Sequence, residues 1–112
     1  MHEMAITQSV VDAVVDRLGD ARVCRVRLEI GRLSGVVPDS VRFCFDVLCA
    51  GTSLDGAELD IDEPPGRARC RSCGGEFGLD DPILLCPCGS ADAEVLAGRE
   101  LRIMSVEVAS HV

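Results

Sequence analysis

Four cysteines within nineteen residues are the first place in this sequence where metal chemistry can be expected. Cys70 and Cys73 form one close pair, Cys86 and Cys88 form the other, and a glycine follows each pair. Two such pairs separated by a loop are typical of a tetrahedral zinc site, in which each tight turn supplies two thiolates. Glycine permits these turns, and backbone N–H groups there can hydrogen-bond the sulfurs. The alternative interpretations are two small disulfides or four buried free thiols.

The composition limits the class of protein. The 112 residues suffice for one modest core and a small satellite, and the net charge of −8, with no lysine, argues against a nucleic-acid binder. There is no signal peptide and no apolar run near the ~20 residues of a membrane span. We therefore expect a soluble, cytoplasmic protein whose thiols stay reduced. Seven cysteines, an odd number, also favour a metal site over a disulfide framework.

The spacing of apolar residues predicts helices and strands on both sides of the cysteine module. Apolar residues three or four apart indicate a helix, and strict alternation of apolar and polar residues indicates a strand. Gly19 and Gly51 are the expected helix ends. Arginines of the first strand can lie opposite acids of the second. In the last strand, Leu101 and Ile103 alternate on one side, whereas Met104, Val106 and Val108 alternate on the other. This switch predicts a bulge or break near Ile103 and Met104. The predicted segments are helices over 4–18 and 38–50 and strands over 22–31, 57–62 and beyond 98.

The apolar faces of these segments predict the core. Cys24 and Cys44 fall on such faces and are expected to be buried small side chains rather than ligands. Cys49 lies nearer the polar side of its helix, and we assign it no role. The predicted core residues are Met4, Val11, Val14, Val15 and Leu18 in the first helix, Cys24, Val26, Leu28 and Ile30 in the first strand, and Val41, Cys44, Phe45 and Leu48, widened by Phe43 and Val47, in the second helix.

The order of these segments predicts an α+β fold. We expect about three strands in one sheet, two helices on one face of it, and a zinc-ribbon module inserted before the last strand. Residues 1–66 and 97–112 would form the α+β domain, and residues 67–96 the module. Because the module has few large apolar side chains, metal binding must supply folding free energy.

The N-terminus offers a second set of metal ligands. The amine of Met1 and the amide and imidazole nitrogens of His2 can chelate one divalent ion, and the amide or carboxylate of Glu3 can assist. Nitrogen ligands in a plane suit nickel(II) or copper(II). The alternative is a frayed terminus with an incidental histidine. His111 has no assigned role, and no nucleophile–base pattern or phosphate loop indicates an enzyme.

Several segments together resemble one family. Their order and separation are similar to those of the HypA/HybF hydrogenase-maturation nickel chaperones, over essentially the whole chain. The resemblance implies a non-enzymatic metallochaperone that carries Ni(II) on Met1, His2 and Glu3 and structural Zn(II) on Cys70, Cys73, Cys86 and Cys88. It also implies delivery, with a HypB-like GTPase, to the large subunit of [NiFe] hydrogenase, or in some members to urease. The segments are Met1-His2-Glu3-Met4, Leu28 to Val36, Val41 to Asp46 and the two cysteine pairs.

One departure from the family pattern concerns the second cysteine pair. The family usually has Cys-Pro-x-Cys, whereas Cys86-Pro87-Cys88 is one residue shorter. Two tetrahedral ligands need sulfurs about 3.8 Å apart, because Zn–S bonds are near 2.3 Å. We expect the shorter turn to reach that separation without the usual knuckle hydrogen bonds.

Two other functions remain open at this point. A zinc-ribbon adaptor for protein contacts, or less plausibly nucleic acid, would use Arg67, Arg69 and Arg71 beside the first pair. A thiol oxidoreductase would use Cys70 and Cys73, but that motif is expected at the start of a helix beside a βαβ unit. The sequence leaves open whether the chain is a monomer or a homodimer.

Overall fold

The computed structural model describes residues 2–109. Its strands form two three-stranded sheets, with the orders β2-β1-β6 and β4-β3-β5. The α+β prediction is confirmed, including the insertion of the cysteine module between the second and third strands of the first sheet. The elements are α1 (Glu3–Leu18), β1 (Val23–Ile30), α2 (Pro38–Cys49), β2 (Glu58–Asp62), β3 (Gly66–Cys70), β4 (Glu76–Leu79), β5 (Ala93–Ala97) and β6 (Leu101–Val108).

The described chain divides into two compact units, of which the first holds both helices. It comprises the described residues up to Leu28, Val36–Ile61 and the residues from Arg102 onward. The helices α1 and α2 pack against each other. Gly19, with a φ of 60°, ends α1, and Pro38 stands in the first turn of α2, where its fixed φ suits a helix start. The largest fully buried side chains of this unit are Phe45, Leu54, Val23, Val26, Val41 and Thr7.

Several predicted core residues of the helices are exposed instead. Met4, Val15, Phe43 and Val47 all retain a large exposed surface, and Phe43 is 67% exposed. Thr7, which the apolar pattern passes over, is fully buried, and its hydroxyl donates a hydrogen bond to the Glu3 carbonyl at 2.7 Å. A threonine satisfied within its own helix can replace an apolar side chain in the core.

Two cysteines have environments opposite to those predicted. Cys24 is exposed, because the buried side of β1 changes between Val23 and Val26. Its thiol donates to the Glu107 carbonyl, with an Sγ–O distance of 3.4 Å. Cys49 is buried, since it follows Val41 and Phe45 at intervals of four along α2 and shares their face. Cys44 is buried as predicted.

The outer face of the first sheet carries the predicted cross-strand ion pairs. Arg25 of β1 contacts Glu58 at 2.7 Å and Asp60 at 3.5 Å on β2, and Glu107 on β6 at 3.7 Å. These three carboxylates raise the pKa of Arg25, with the Glu58 hydrogen bond the largest cause. Because all four side chains are well exposed, the pairs favour this strand order but add little stability.

The last strand runs without a break through the position where a bulge or break was predicted. β6 runs from Leu101 to Val108. Its two least exposed residues, Ile103 and Val106, lie three apart and line the same hollow with Ala13 and Val14 of α1. In a regular strand, residues three apart face opposite sides. The alternation of side chains that face α1 therefore shifts by one residue between 103 and 106, as the sequence pattern indicates.

The second unit, residues 29–35 and 62–101, contains the β4-β3-β5 sheet. Three glycines bring its backbone segments close together. A Cβ on Gly31 would lie 2.0 Å from the Gly98 carbonyl oxygen, and one on Gly98 would lie 2.7 Å from the Gly66 Cα. Only glycine fits such approaches. They hold the start of β3 and the end of β5 in place and thereby position the strand that carries the first cysteine.

Candidate metal centre

The four cysteines of the two pairs converge at one point of the second unit. Their sulfurs all lie within 4.8 Å of one another, and of residues 2–109 only these four form a cluster of three or more potential metal ligands. Cys70 Sγ lies 3.7 Å from Cys88 Sγ, and Cys73 Sγ lies 3.6 Å from Cys86 Sγ. Tetrahedral zinc requires sulfurs about 3.8 Å apart, so the donors fit this ion. The distances are far beyond the roughly 2.05 Å of a disulfide bond.

The first cysteine turn follows β3 directly. Backbone N–H groups of Cys73 and Gly75 donate to the sulfurs of Cys70 and Cys73, each at 3.4 Å. The Gly74 N–H donates to the Cys70 carbonyl, and Gly74 has a φ of 76°, which favours glycine. The turn thus points two sulfurs inward and satisfies them with backbone donors.

The second cysteine turn is one residue shorter than the first and also contains hydrogen bonds from backbone N–H groups to a sulfur and to a carbonyl. The Cys88 N–H donates to Cys86 Sγ at 3.5 Å, and the Gly89 N–H donates to the Cys86 carbonyl at 2.8 Å. Gly89 has a φ of 97° and takes the place that Gly74 has in the first turn. The expectation that the shorter turn lacks knuckle hydrogen bonds is therefore wrong for Cys86, because these two bonds have the form of those at Cys70 and span one residue fewer.

Polar side chains that the sequence reasoning missed join the two turns. The hydroxyls of Ser72 and Ser90 lie 2.9 Å apart, one from each turn. Arg71 donates to the Asp92 carboxylate at 3.0 Å, and its backbone N–H donates to the Asp92 carbonyl. The only sequence signal was a serine beside each cysteine pair. These contacts fix the separation of the two pairs.

The arginines near the first pair are matched by acids. Arg67 and Arg69 of β3 both contact Glu76 of β4, and Arg71 contacts Asp92. The hydrogen bond from Arg69 and the charge of Arg67 lower the pKa of Glu76. An arginine cluster with its charge offset in this way lacks the uncompensated positive surface that phosphate backbones attract.

The sulfurs differ in how readily they lose a proton. The hydrogen bond from the Cys73 amide lowers the pKa of Cys70 to about 6, with the Ser72 amide helping. The Cys88 amide also lowers the pKa of Cys86, but burial and the neighbouring sulfurs outweigh it and raise that pKa to about 12. Successive negative charges in one cluster oppose each other. A divalent cation removes that opposition, because it compensates two of the four charges.

The predicted nickel ligands are only partly described. Met1 and His111 lie outside the described residues. His2 is exposed immediately before α1, and its carbonyl accepts the Ile6 N–H at 3.0 Å. The Glu3 carboxylate accepts the Val37 N–H at the start of α2, with an Oε2–N distance of 3.2 Å.

An open hollow lies beside these residues in the first unit. Its volume is about 860 Å³, and Met4, Asp39 and Phe43 line it together with His2 and Glu3. Backbone N–H groups in the first turn of a helix have no partner within the helix. The amides of His2 and Glu3 are therefore not needed for the hydrogen bonds of α1. No helix among residues 2–109 is long and apolar enough to cross a membrane.

The fold and the cysteine cluster define a small α+β protein with a four-cysteine metal module of the zinc-ribbon kind. A family model described as "HypA: Hydrogenase/urease nickel incorporation, metallochaperone" matches residues 1–108. The chain therefore belongs to the HypA family of nickel metallochaperones, which are hydrogenase maturation factors and not enzymes.

Curated relatives and a solved structure agree with this family. The hydrogenase maturation factor HypA of Nostoc punctiforme is 50% identical over 108 residues, which cover 96% of each chain. HypA of Geobacter metallireducens is 51% identical over 112 residues, covering 96% of this chain and 99% of the relative. The solution structure of the Ni metallochaperone HypA from Helicobacter pylori has a TM-score of 0.65 at 21% identity, and covers 99% of this chain and 100% of that one. At this identity the similarity to the solved structure supports the fold alone.

Proposed function

We propose that the protein binds one Ni(II) ion at its N-terminus and passes it on during maturation of [NiFe] hydrogenase. The ligands are the Met1 amine, the His2 amide and imidazole nitrogens, and Glu3. The observation that carries the proposal is the match of nearly the whole chain to a nickel metallochaperone family, in a chain that begins Met1-His2-Glu3.

The start of α1 supports the backbone of Glu3, rather than its carboxylate, as the last ligand. The carboxylate is engaged by the Val37 N–H, whereas the helix leaves the amides of residues 2 and 3 without an internal acceptor. The N-terminus of a helix carries a partial positive charge that opposes a bare cation. Deprotonation of two amides offsets the charge of Ni(II), so the neutral complex can form at this helix end.

The zinc site has a structural role in this proposal. Cys70, Cys73, Cys86 and Cys88 hold Zn(II), supported by sulfur separations between the two pairs of 3.7 Å (Cys70 to Cys88) and 3.6 Å (Cys73 to Cys86). A closed four-thiolate site leaves no open position for exchange. Functionally, residues 67–96 form the zinc module, and residues 1–66 and 97–112 form the nickel-binding domain.

The partners follow from hydrogenase maturation. Nickel insertion into the hydrogenase large subunit is expected to involve a HypB-like GTPase, and the family description also includes urease as a client. We place this process in the cytoplasm, where the free thiols of the chain stay reduced.

Metal stoichiometry on the untagged protein tests the proposal. We expect one nickel and one zinc per chain, and a visible absorption band of square-planar Ni(II). His2→Ala removes the imidazole, and an N-terminal extension removes the free amine, so each should abolish the band and leave zinc bound. Because the amine, amide and imidazole must lose protons to bind, nickel is expected to leave as the pH falls.

A matched control separates the terminal site from nonspecific uptake. Asp39→Asn changes an acid beside the same hollow without touching the proposed nitrogen ligands. It should bind nickel with unchanged stoichiometry and spectrum. If nickel uptake is the same in the His2→Ala and extended proteins as in the wild type, the terminal site is wrong.

A further inference from the structure

Each cysteine turn supplies one pair of sulfurs, and the angle between the two turns decides which metal geometry the cluster fits. In a tetrahedral site the planes that the two sulfur pairs make with the metal are perpendicular, whereas in a square-planar site all four sulfurs share one plane. Conversion of one geometry into the other rotates one turn by about 90° relative to the other. Contacts that hold the turns against this rotation therefore select between metals.

Geometry is the property that can separate zinc from nickel at such a cluster. Along the series of divalent metals, affinity generally rises to nickel and copper and falls again at zinc, so this order alone does not exclude nickel. Zinc has a filled d shell and no geometric preference of its own, whereas Ni(II) is stabilised by a square plane of ligands. A thiolate site in a protein that carries nickel must therefore reject nickel by its shape.

The sulfur separations between the two pairs match the tetrahedron. With metal–sulfur bonds of about 2.3 Å, a tetrahedron places the sulfurs about 3.8 Å apart, whereas a square places neighbours about 3.3 Å and opposite sulfurs about 4.6 Å apart. The observed separations are 3.7 Å from Cys70 to Cys88 and 3.6 Å from Cys73 to Cys86. Both lie nearest to the tetrahedral value, so the chain itself holds the two turns crossed.

Ser72 and Ser90 form the first contact between the turns, which we call the serine link. Ser72 lies within the first turn, and its hydroxyl is 2.9 Å from that of Ser90. Ser90 closes the second turn, because its carbonyl accepts the Cys86 N–H at 2.9 Å. The Ser90 hydroxyl oxygen also accepts the Asp92 N–H at 3.1 Å, which fixes the position of this hydroxyl.

Arg71 and the residues after Ser90 form a second contact, the arginine link. The Arg71 guanidinium donates to the Asp92 carboxylate at 3.0 Å and to the Ala93 carbonyl at 3.3 Å. The Arg71 backbone N–H donates to the Asp92 carbonyl at 2.9 Å. One link would leave a turn free to rotate about the contact, but two links at separate atoms hold the angle as well as the distance. Groups outside the ligand set commonly orient metal ligands in this way.

We propose that the serine link and the arginine link determine the metal specificity of the cysteine cluster. They keep the two turns crossed, so that the cluster favours Zn(II) and disfavours Ni(II). The linked residues are not ligands themselves, and each positions the sulfurs through the turn to which it belongs. This role rests on the zinc site of the proposed function, but not on the nickel ligands at the N-terminus.

Competition between zinc and nickel for the cysteines tests this role in the full-length protein. A His2→Ala background removes the proposed terminal imidazole, and thiolate-to-nickel charge-transfer absorption reports nickel only where cysteine binds it. The outcome is therefore independent of the terminal site. After removal of zinc, each protein is titrated with Ni(II) alone and then with Zn(II). Folding of the module contributes to both affinities, so it largely cancels in their ratio.

Ser72→Ala removes the serine link. It is expected to lower the zinc-to-nickel affinity ratio about fivefold, the effect of one hydrogen bond, and its combination with Asp92→Ala should lower the ratio further. Nickel on the wild-type cysteines should be paramagnetic, as in tetrahedral Ni(II), whereas nickel in the double variant should become diamagnetic, as in a square plane. Ser72→Thr keeps the hydroxyl and should retain the wild-type ratio and spectrum.

Arg69→Gln provides the matched control within the same module. Arg69 contacts Glu76 across β3 and β4 and does not join the two turns. Its loss should lower the two metal affinities by the same factor and leave their ratio unchanged. Co(II), whose visible absorption identifies tetrahedral thiolate sites, verifies that each variant still assembles the cluster.

The magnetic state of bound nickel and the affinity ratio decide the outcome together. Equal falls of both affinities in the double variant, with nickel still paramagnetic, would show that the links only stabilise the module. Diamagnetic nickel on the wild-type cysteines would show that the links do not hold the turns crossed. Either result overturns the proposal. Absence of the tetrahedral Co(II) bands from the wild type would contradict the zinc site itself, and the specificity with it.

Discussion

The three cysteines outside the metal cluster differ in how far they are exposed to solvent and its reagents. Burial raises the pKa of Cys49 to about 11, and the carboxylates of Asp46 and Asp55 add to the effect. Cys44 is buried as well. Cys24 is exposed on β1 and donates only a weak hydrogen bond to a backbone carbonyl. Since the thiolate is the nucleophile, these residues should differ strongly in reactivity.

Thiol labelling of the zinc-bound protein checks this difference. We expect a maleimide reagent to modify Cys24 first, while Cys44 and Cys49 react only after unfolding, because both thiols are buried and burial also raises the pKa of Cys49. Peptide mass spectrometry over time identifies the sites. In the control variant Cys24→Ser the rapid phase should disappear. Rapid modification of Cys49 in the folded protein would contradict the burial described for it.

Sequence patterns at single positions failed for different physical reasons. Cys24 was placed on the wrong face because alternation was extended across the change of side in β1. Cys49 could have been placed correctly, since it continues the spacing of four from Val41 and Phe45. Thr7 gave no apolar signal, because its burial depends on a hydrogen bond within α1.

At the scale of elements, Glu76 of β4 forms ion pairs with two arginines of β3 and so links the two strands of the hairpin. Arg69 lies opposite Glu76 in the register, and Arg67, two residues earlier on the same face, also reaches it. The Arg69 hydrogen bond and the Arg67 charge keep the pKa of Glu76 below its usual value of 4.5. A lowered carboxyl pKa stabilises the folded state above the unfolded pKa, and this contribution is lost as the pH falls through the folded pKa.

Glu76→Gln should therefore destabilise the protein slightly at neutral pH. The difference from the wild type should stay constant down to about pH 5 and shrink at lower pH, where Glu76 becomes protonated. Chemical unfolding of both proteins with zinc in excess measures it. Arg69→Gln is the matching change on the other strand, and NMR titration should show the pKa of Glu76 rising in it. A difference that grows toward acid pH would contradict the assigned sign.

The elements of the first sheet could be predicted, whereas β3, β4 and β5 could not. The large apolar residues of β1, α1 and α2 repeat at clear intervals. Buried and exposed residues alternate in β3 as well. Its buried residues, Gly66, Ala68 and Cys70, are too small to be recognised in the sequence as an apolar face. The change of buried side along β6 was visible in the sequence, and β6 carries this change without a break between Leu101 and Val108.

At the scale of the whole molecule, the stretch of the second unit that carries the cysteines, residues 62–101, has almost no apolar core of its own. Among residues 62–101 the buried apolar side chains are Ala68, Cys70, Cys86 and Ala93, two of which are proposed zinc ligands. Side chains of this size cannot offset the conformational entropy of ordering the module. Zinc binding is therefore expected to supply the folding free energy there.

Removal of zinc by a strong chelator should unfold the module selectively. Amides of β3, β4 and β5 should lose protection from hydrogen exchange, whereas the helical circular dichroism from α1 and α2 should persist. Returning zinc should restore the protection. Cys70→Ser should behave like the chelated protein, and Cys24→Ser like the zinc-bound one. Protection of β3 that survives chelation would show that the module folds without metal.

The proposed N-terminal nickel site could not be derived from periodicity or burial. Its ligands belong to the first three residues, where neither apolar spacing nor packing gives a signal. The nitrogen donors of Met1 and His2 left nickel(II) or copper(II) open, and the resemblance to a family, carried by Met1-His2-Glu3-Met4, Leu28 to Val36, Val41 to Asp46 and the cysteine pairs, favoured nickel. The cysteine site, by contrast, followed from residue type and spacing, and the structure brings those four sulfurs together.

The hydrogen bond between the Glu3 carboxylate and the Val37 N–H gives the protein an internal reporter of its cargo. With nickel on the backbone of residues 2 and 3, as proposed, we expect Glu3 to reorient and the Val37 amide signal in a ¹⁵N-correlation spectrum to move when the ion binds. The Gly51 N–H donates to the Asp55 carboxylate at 3.0 Å, about 18 Å away at the other end of α2, and should stay still. Loading and release can thus be followed in real time, without a label on the metal-binding terminus itself.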